Sequence, residues 1–237
     1  MKESDKLLTG RIYATKHQKQ LKNIYTFFMS ISFFIFLSTL IFNATFTSAQ
    51  VHGLSMYPTV NEQFYYNEQC KDVVYYTAPY NLDYCDIIIV DLPGNEQDGI
   101  KRLVAKGGDK ICFGDIYDDN EYLIYLNDTV LLEPYLTSPS INKNPVNNFK
   151  KLIRDCLGGD TRYLQIDWLS QNNSGQWQIT LPNDYCIYLG DNRSISLDCS
   201  IFGPQHISTI IGKVEIVVPY GLTIYNYWWY QFCQLFK

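Results

Sequence analysis

A run of uncharged, mostly apolar residues near the N-terminus limits this chain more than any other feature of the sequence. Residues 24–42 read IYTFFMSISFFIFLSTLIF, nineteen positions without a charge, of which fourteen are apolar. As an α-helix this run would be about 28 Å long at ~1.5 Å per residue, and the hydrocarbon core of a bilayer is ~30 Å thick. The run therefore predicts a transmembrane anchor, which we assign to residues 23–46.

A cleavable signal peptide is the main alternative for this segment, because Thr47, Ser48 and Ala49 offer small residues at which such a peptide is cut. The apolar run is longer than the ~7–15 residues of a usual signal-peptide core, which favours a retained anchor. A buried core helix is the third interpretation. A chain of 237 residues would rarely enclose so uniformly apolar a helix.

The charges are distributed unevenly around this segment. Residues 1–22 hold six lysines and arginines against two acidic residues, whereas the whole chain has a net charge of -5. Positive residues stay on the cytoplasmic side of membrane helices. We therefore predict a single-pass protein of the plasma membrane, with residues 1–22 as a cytoplasmic head and residues 47–237 as an extracytoplasmic domain. The negative net charge argues against a nucleic-acid partner.

The chain beyond residue 50 alternates short apolar runs with turn residues. Examples are CDIIIVDLP at 85–93 and TIIGKVEIVV at 209–218. Runs of this length, rich in Ile, Val and Tyr, predict strands. We expect a mainly β fold: an antiparallel β-sheet body with a smaller inserted β-rich segment at about 113–180. The polar stretch 137–162 within the insertion is predicted to contain one short helix around 147–156.

Seven cysteines all follow the apolar segment: Cys70, Cys85, Cys112, Cys156, Cys186, Cys199 and Cys233. An odd number leaves at least one thiol unpaired in a monomer. Disulfides and small buried apolar side chains both remain open as their role. The chain has no C-x-x-C pair and no cluster of histidines, so we predict neither a metal site nor a cofactor.

The segment GLSMYPT at 53–59 contains a candidate nucleophile, Ser55. Pro58 fixes its own φ and biases Tyr57 towards extended geometry, which makes the loop rigid. Gly53 permits close approach of the backbone. Such a loop can shape an oxyanion hole from backbone N–H groups, although a lone serine in a loop usually has no catalytic role.

A nucleophilic serine needs a base. The chain has three histidines, His17, His52 and His206. The first is predicted to be cytoplasmic, the second lies in the serine loop itself and the third is isolated. Lys101 is the better candidate, because burial in an apolar strand lowers the pKa of a lysine and leaves a neutral amine. Strand alternation turns Lys101 and Arg102 to opposite faces; an ordinary charge pair at a strand edge is the alternative.

A third polar segment, GDNRSISLDCSIFG, spans residues 190–203. It combines two carboxylates, an arginine and several hydroxyls. Asx turns and an ion pair in a surface loop would explain it. The functional interpretation is a scaffold that brings a hydroxyl to the lysine amine.

Together the three segments resemble the type I signal peptidases, the membrane-bound Ser/Lys proteases that remove signal peptides. Residues 55–59 match the family's serine box. Lys101-Arg102 with Gly108-Asp109 resembles its lysine box, and residues 190–198 resemble its third box. The three boxes follow one N-terminal anchor in the family's order. Lysine at 101 and glycine at 53 resemble the bacterial, Gram-positive members.

The resemblance implies a role for each site residue. Ser55 would be the nucleophile, with its backbone N–H in the oxyanion hole, and Lys101 the general base. Ser196 would orient the lysine amine. The supporting residues would be Gly53, Asp191, Arg193 and Asp198. The pocket for small side chains before the cut would be formed by Val51, His52, Met56, Val60 and Ile100.

The partners implied are preprotein signal peptides and the lipid bilayer, and association with the export machinery stays open. An inactive family member, a self-cleaving repressor with a Ser/Lys site and a purely structural membrane protein are the alternative functions. The intact Ser55 and Lys101 argue against the first alternative, and the predicted anchor argues against the second, because such repressors are cytosolic.

Three departures from the family pattern lead to expectations about structure. Ser200 stands where many members have an arginine, so the ion pair of Asp198 is expected to be missing or re-routed to Arg193. Gly107 replaces a proline and is expected to loosen the turn before Gly108. Cys199 replaces a serine, a mild change.

The stretch 216–236 has no charged residue and is rich in Trp and Tyr. An interfacial membrane segment, an end packed on the core and a second membrane crossing all remain open for it.

Overall fold

The computed structural model describes residues 3–94, 97–114, 122–136 and 139–234. Within them the chain forms two compact units, Met1–Thr47 and Ser48–Lys237.

The first unit is one long helix, α1, at Glu3–Thr45. Its part Gln18–Thr45 is long and apolar enough to cross a membrane, and none of the side chains in its most apolar stretch is buried. Hydroxyls on this part donate to carbonyls three or four residues earlier, as Thr26 does to Lys22 at 2.8 Å and Thr39 to Ile35 at 2.9 Å. These bonds satisfy the polar side chains within the helix itself. The predicted N-terminal apolar helix is confirmed.

The second unit is built around two antiparallel sheets, which confirms the predicted fold class. The first sheet has the order β1-β2-β12-β3-β4-β10-β11. Its strands are β1 (Thr47–Gln50), β2 (Val73–Thr77), β3 (Ile87–Val90), β4 (Gly99–Ala105), β10 (Tyr185–Leu189), β11 (Gln205–His206) and β12 (Ile210–Val218). The second sheet has the order β7-β6-β5-β9-β8. Its strands are β5 (Lys110–Cys112), β6 (Tyr125–Leu126), β7 (Thr129–Val130), β8 (Leu169–Gln171) and β9 (Trp177–Thr180).

Three helices complete this unit: α2 (Lys143–Leu157), α3 (Cys199–Phe202) and α4 (Ile224–Gln234). Helix α2 buries Val146, Phe149 and Ile153, which share one face at helical spacing. The ring of Phe149 stacks on Phe113 with 4.0 Å between ring centroids. The helix predicted around 147–156 is therefore present and begins earlier, because its apolar face already starts at Val146.

The connection between two neighbouring strands contains the whole second sheet. Strands β4 and β10 pair in the first sheet, with Leu103 opposite Tyr188, and the chain between them forms β5 to β9 and α2. The turn that leaves β4 packs closely on the backbone of Asn183: a Cβ atom on Gly107 would lie 2.1 Å from its carbonyl oxygen. The loosening expected from glycine in place of proline stays a prediction.

The cysteines are free thiols. Four of them are buried: Cys112, Cys156, Cys186 and Cys199. Three of them, Cys156, Cys186 and Cys199, pack as small apolar side chains in the larger core cluster, which also includes residues of both sheets and of α2. A smaller cluster, which includes Met56, Val60 and Ile100, lies beneath the predicted site.

Candidate active site

Lys101 lies in the middle of β4, opposite Ile88 of β3. Every residue of this strand is buried, and Lys101 is only 3% exposed. Its Nζ donates to the carbonyl oxygen of Ile100 at 3.0 Å. Burial lowers the pKa of Lys101 to about 8, against the smaller opposing effects of Asp198 and Cys199. A substantial fraction of this amine is therefore neutral near physiological pH.

Ser55 lies in the loop that follows β1, and its hydroxyl points towards the same carbonyl. Its Oγ donates to the oxygen of Ile100 at 3.4 Å. The hydroxyl of Ser55 and the amine of Lys101 thus meet at one backbone oxygen, although Ser55 lies in a loop and Lys101 in β4. Both also line one cleft.

Asn61 supports the backbone of the loop that carries Ser55, which we call the serine loop. This residue is fully buried, and its Nδ2 donates to the carbonyls of Val51 at 2.9 Å and Gly53 at 3.0 Å. Asp72 completes the contact: its backbone N–H donates to Oδ1 of Asn61, and its carboxylate accepts from the N–H groups of Asn61 and Tyr220. Gly53 has a φ of 90°, a conformation that favours glycine.

The third segment packs directly on the serine loop. The N–H of Asn192 donates to the carbonyl of Ser55 at 3.0 Å. A Cβ atom on Gly190 would lie 2.5 Å from that same carbonyl oxygen and 2.2 Å from Oγ of Ser196. Only glycine fits this close approach. Ser196 is buried, and its hydroxyl has no hydrogen-bond partner in the described part of the chain; the amine that it was expected to orient donates to Ile100.

Arg102 occupies the face of β4 opposite Lys101 and meets a carboxylate. It donates to both carboxylate oxygens of Asp191, and Thr59 donates to the same group at 2.6 Å. Its guanidinium also donates to the carbonyl of Cys85 and stacks on the ring of Tyr135, 3.9 Å from the ring centroid.

Arg193 and Asp198 take separate partners. Arg193 pairs with Glu133 and donates to Asn142. Asp198 accepts from the N–H groups of Gly190 at 2.9 Å and Ser200 at 3.0 Å, and so caps α3. Among the described residues Asp198 has no ion pair, so the expected ion pair is missing and is not re-routed to Arg193. Two backbone N–H groups bind the carboxylate of Asp198 instead.

A cleft of about 680 Å³ opens beside Ser55 and Lys101. Of the predicted pocket residues, Val51, His52 and Ile100 line it, whereas Met56 and Val60 lie beneath it as buried core. Further lining residues escaped the sequence analysis: Leu54, Val74, Tyr76, Leu92, Ile195 and Leu197.

The sequence analysis also did not identify four residues whose hydrogen bonds or ion pairs support the site: Asn61, Asp72, Glu133 and Asn142. No local pattern marks the first two or Asn142. Glu133 does lie in a Glu-Pro-Tyr-Leu stretch that resembles the family, but its partner is sixty positions away.

The sequence itself matches a known family model, described as signal peptidase, peptidase S26, over residues 24–219. This chain is a signal peptidase family member. The resemblance drawn from the three boxes is thereby confirmed, and the match includes both Ser55 and Lys101 as well as the apolar part of α1.

Individual signal peptidases show the same likeness. A signal peptidase I from Bacillus caldolyticus is 30% identical over 129 residues, which are 54% of this chain and 57% of that protein. The chain thus matches little more than half the length of this relative. A solved structure of signal peptidase I from Enterococcus faecalis is 24% identical and covers 58% of this chain and 100% of its own, with a TM-score of 0.36.

Proposed function

We propose that this protein is a membrane-bound serine endopeptidase that removes N-terminal signal peptides from exported preproteins. It cuts after small residues with a Ser/Lys dyad formed by Ser55 and Lys101. The observation that carries the proposal is the meeting of the Ser55 hydroxyl and the Lys101 amine at the carbonyl of Ile100, together with the lowered pKa of that amine. Membership of the signal peptidase family supports the same reaction class.

In this mechanism the neutral Nζ of Lys101 accepts the proton of the Ser55 hydroxyl while Oγ attacks the scissile carbonyl carbon. The backbone N–H of Ser55 donates to the oxyanion. The ammonium of Lys101 then protonates the leaving amine, which departs as the N-terminus of the mature protein. Water attacks the acyl carbonyl while Lys101 accepts one of its protons. Lys101 then gives this proton to Oγ of Ser55 as the bond between Oγ and the acyl carbon breaks, and the signal peptide leaves with a free carboxylate.

The surroundings of the dyad fit these steps. Ile100 holds both reactive groups through one carbonyl, so a small rotation of the Ser55 side chain frees its Oγ for attack. The unpartnered hydroxyl of Ser196 is available to the Lys101 amine once that amine turns towards Ser55. Asp198 lies near enough to raise the pKa of Lys101 and favours the ammonium formed after proton transfer.

In this proposal the substrate reaches the dyad through the cleft, and the anchor holds the enzyme at the membrane. The signal peptide enters the cleft at Val51 and Ile100, whose apolar walls accept small side chains. Helix α1 crosses the plasma membrane with residues 1–22 in the cytoplasm, and residues 47–237 act on the other side, where exported preproteins emerge.

The test is cleavage of a model preprotein by the full chain in detergent. Ser55→Ala and Lys101→Ala should each abolish cleavage, because nucleophile and base act as one unit. Lys101→Arg should fail as well, since a guanidinium stays protonated and cannot accept the serine proton. The matched controls are Ser174→Ala and Lys110→Arg, which change exposed residues outside the cleft. Near-normal turnover by Lys101→Arg would remove Lys101 from the mechanism, and full activity of Ser55→Ala would refute the proposed nucleophile.

A further inference from the structure

The last described helix, α4, has no buried residue. It is an amphipathic helix nonetheless. Tyr225, Trp228, Trp229 and Phe232 follow the i, i+3, i+4, i+7 spacing that places side chains on one helical face. We call these four residues the aromatic stripe. Each of them is more than half exposed, from 51% for Phe232 to 72% for Tyr225.

The opposite face of α4 is uncharged and carries phenol hydroxyls and amides. Tyr227, Tyr230 and Gln234 lie on it, with Asn226 and Gln231 at its borders, and no charged residue occurs anywhere from Ile216 to Phe236. A protein partner is usually selected and oriented by charged groups around the contact, and α4 offers none. Trp and Tyr combine an apolar ring with one polar atom, and they are enriched where a bilayer meets water.

The structure also removes two of the three interpretations left open for this stretch. A helix of eleven residues is about 16 Å long at ~1.5 Å per residue, and a bilayer core of ~30 Å needs about twenty residues. Over its described length, α4 is therefore about half as long as a membrane crossing requires. It is not an end packed on the core either, because none of its side chains is buried.

We propose that α4 lies flat on a lipid bilayer, with the aromatic stripe inserted among the headgroups and the opposite face, with its phenol hydroxyls and amides, towards water. The same chain carries α1, whose apolar part is long enough to span a membrane. A chain held by such a helix keeps α4 at a high local concentration near the bilayer, so even a short interfacial helix binds. Since α4 has no cationic side chain, its binding needs no anionic lipid and resists salt.

The inference does not depend on the proposed cleavage reaction and is tested without it. The full chain is reconstituted in vesicles of phosphatidylcholine, with and without bromine on the acyl chains as a contact quencher of tryptophan. The chain has four tryptophans, Trp168, Trp177, Trp228 and Trp229. Subtracting the emission of the Trp228→Phe/Trp229→Phe variant isolates the signal of α4. Phenylalanine is chosen because it keeps the aromatic stripe apolar, so that the variant folds as the wild type does.

We expect brominated lipid to reduce the isolated α4 signal about twofold or more, with iodide in the water having little effect and 1 M salt leaving the result unchanged. Strong quenching by iodide and none by brominated lipid would mean that α4 stays in water, which overturns the proposal. Protection from both quenchers would mean that protein covers the stripe, which overturns it as well. Crosslinking through Cys233 on α4 would then show whether the cover is a second copy.

Discussion

Arg102 donates hydrogen bonds from Nε and Nη2 to the two carboxylate oxygens of Asp191, at 2.8 and 2.6 Å. The side chains are 8% and 0% exposed, so this is a buried, bidentate ion pair. It joins β4, which carries Lys101, to the segment that packs on Ser55. The pair therefore holds together the two parts of the chain on which the proposed dyad depends.

Asp191→Asn should destabilise the fold by about 3–5 kcal/mol, because removing one partner leaves the other charge buried and uncompensated. Thermal and urea unfolding of the full chain in detergent would measure the loss. The matched control is Asp160→Asn, whose partner Arg162 is mostly exposed; exposed pairs contribute little, and we expect no measurable change. Equal effects of the two substitutions would contradict the structural role of the buried pair.

Gly190→Ala should abolish cleavage and lower the melting temperature. Its new Cβ atom would meet Oγ of Ser196 and the carbonyl of Ser55, so the serine loop has to move. Gly158→Ala is the control, since that glycine caps α2 at a φ of -80° with its nearest neighbour at 3.3 Å. Unchanged activity of Gly190→Ala would show that the close packing of the two segments is not needed.

Asn61→Ala should destabilise the serine loop by about 1–3 kcal/mol, because the buried carbonyl of Val51 and the partly buried carbonyl of Gly53 lose their donor. Unfolding in urea would detect this, with Asn67→Ala at an exposed turn as the control. Comparable stability of the two variants would exclude Asn61 as a support of the loop.

The pH dependence of cleavage should follow Lys101. Only the neutral amine accepts the serine proton, so kcat/KM should rise with pH through about 8 and then level off. Steady-state cleavage of a model peptide between about pH 6 and 10 measures this. A rate that stays flat across the range would mean that another group is the base, and His52 is the histidine nearest to Ser55 in sequence.

The free energy of unfolding should also depend on pH through the protonation of Lys101. The pKa of Lys101 is about 8 in the fold and 10.5 ordinarily, so the unfolded chain binds more protons between these values. Stability therefore rises with pH from about 8 to 10.5, and below 8 the full cost of burying the ammonium remains. Lys101→Met should remove that cost, making the protein more stable at neutral pH and flattening the dependence. No stabilisation by methionine would indicate an ordinary charged lysine.

The cleavage products should end in Ala, Gly or Ser, with another small residue two positions earlier. The side chains of Val51 and Ile100 in the cleft wall are apolar, and in the proposed function they accept only small side chains. Mass spectrometry of a peptide series with one changed position gives the products directly. A peptide with Phe far from the cut serves as the control; efficient cutting after Phe or Lys would refute the predicted specificity.

Much of the architecture follows from local patterns. The apolar run of residues 24–42 predicts the helix that ends at Thr45, and the short apolar runs around Ile87 and Val214 predict strands. These elements are recognisable from the length of each apolar run and from the turn residues that bound the short ones. The identity of Ser55 and Lys101 as candidates likewise needs only neighbouring residues and the order of three short boxes.

The chain alone determined which residues carry reactive groups, and the tertiary structure decided what each of them contacts. Ser55 and Lys101 are forty-six positions apart, and only the packing of their loop and strand brings both to Ile100. The same packing pairs Arg193 with Glu133 and brings two backbone N–H groups to the carboxylate of Asp198. It also buries Met56 below the cleft, so that this residue is not part of the cleft wall. Partners this far apart in sequence leave no periodic signal, because their contact depends on the folding of every element between them. Burial, which lowers the pKa of Lys101, is likewise a property of the assembled sheet and of no short segment.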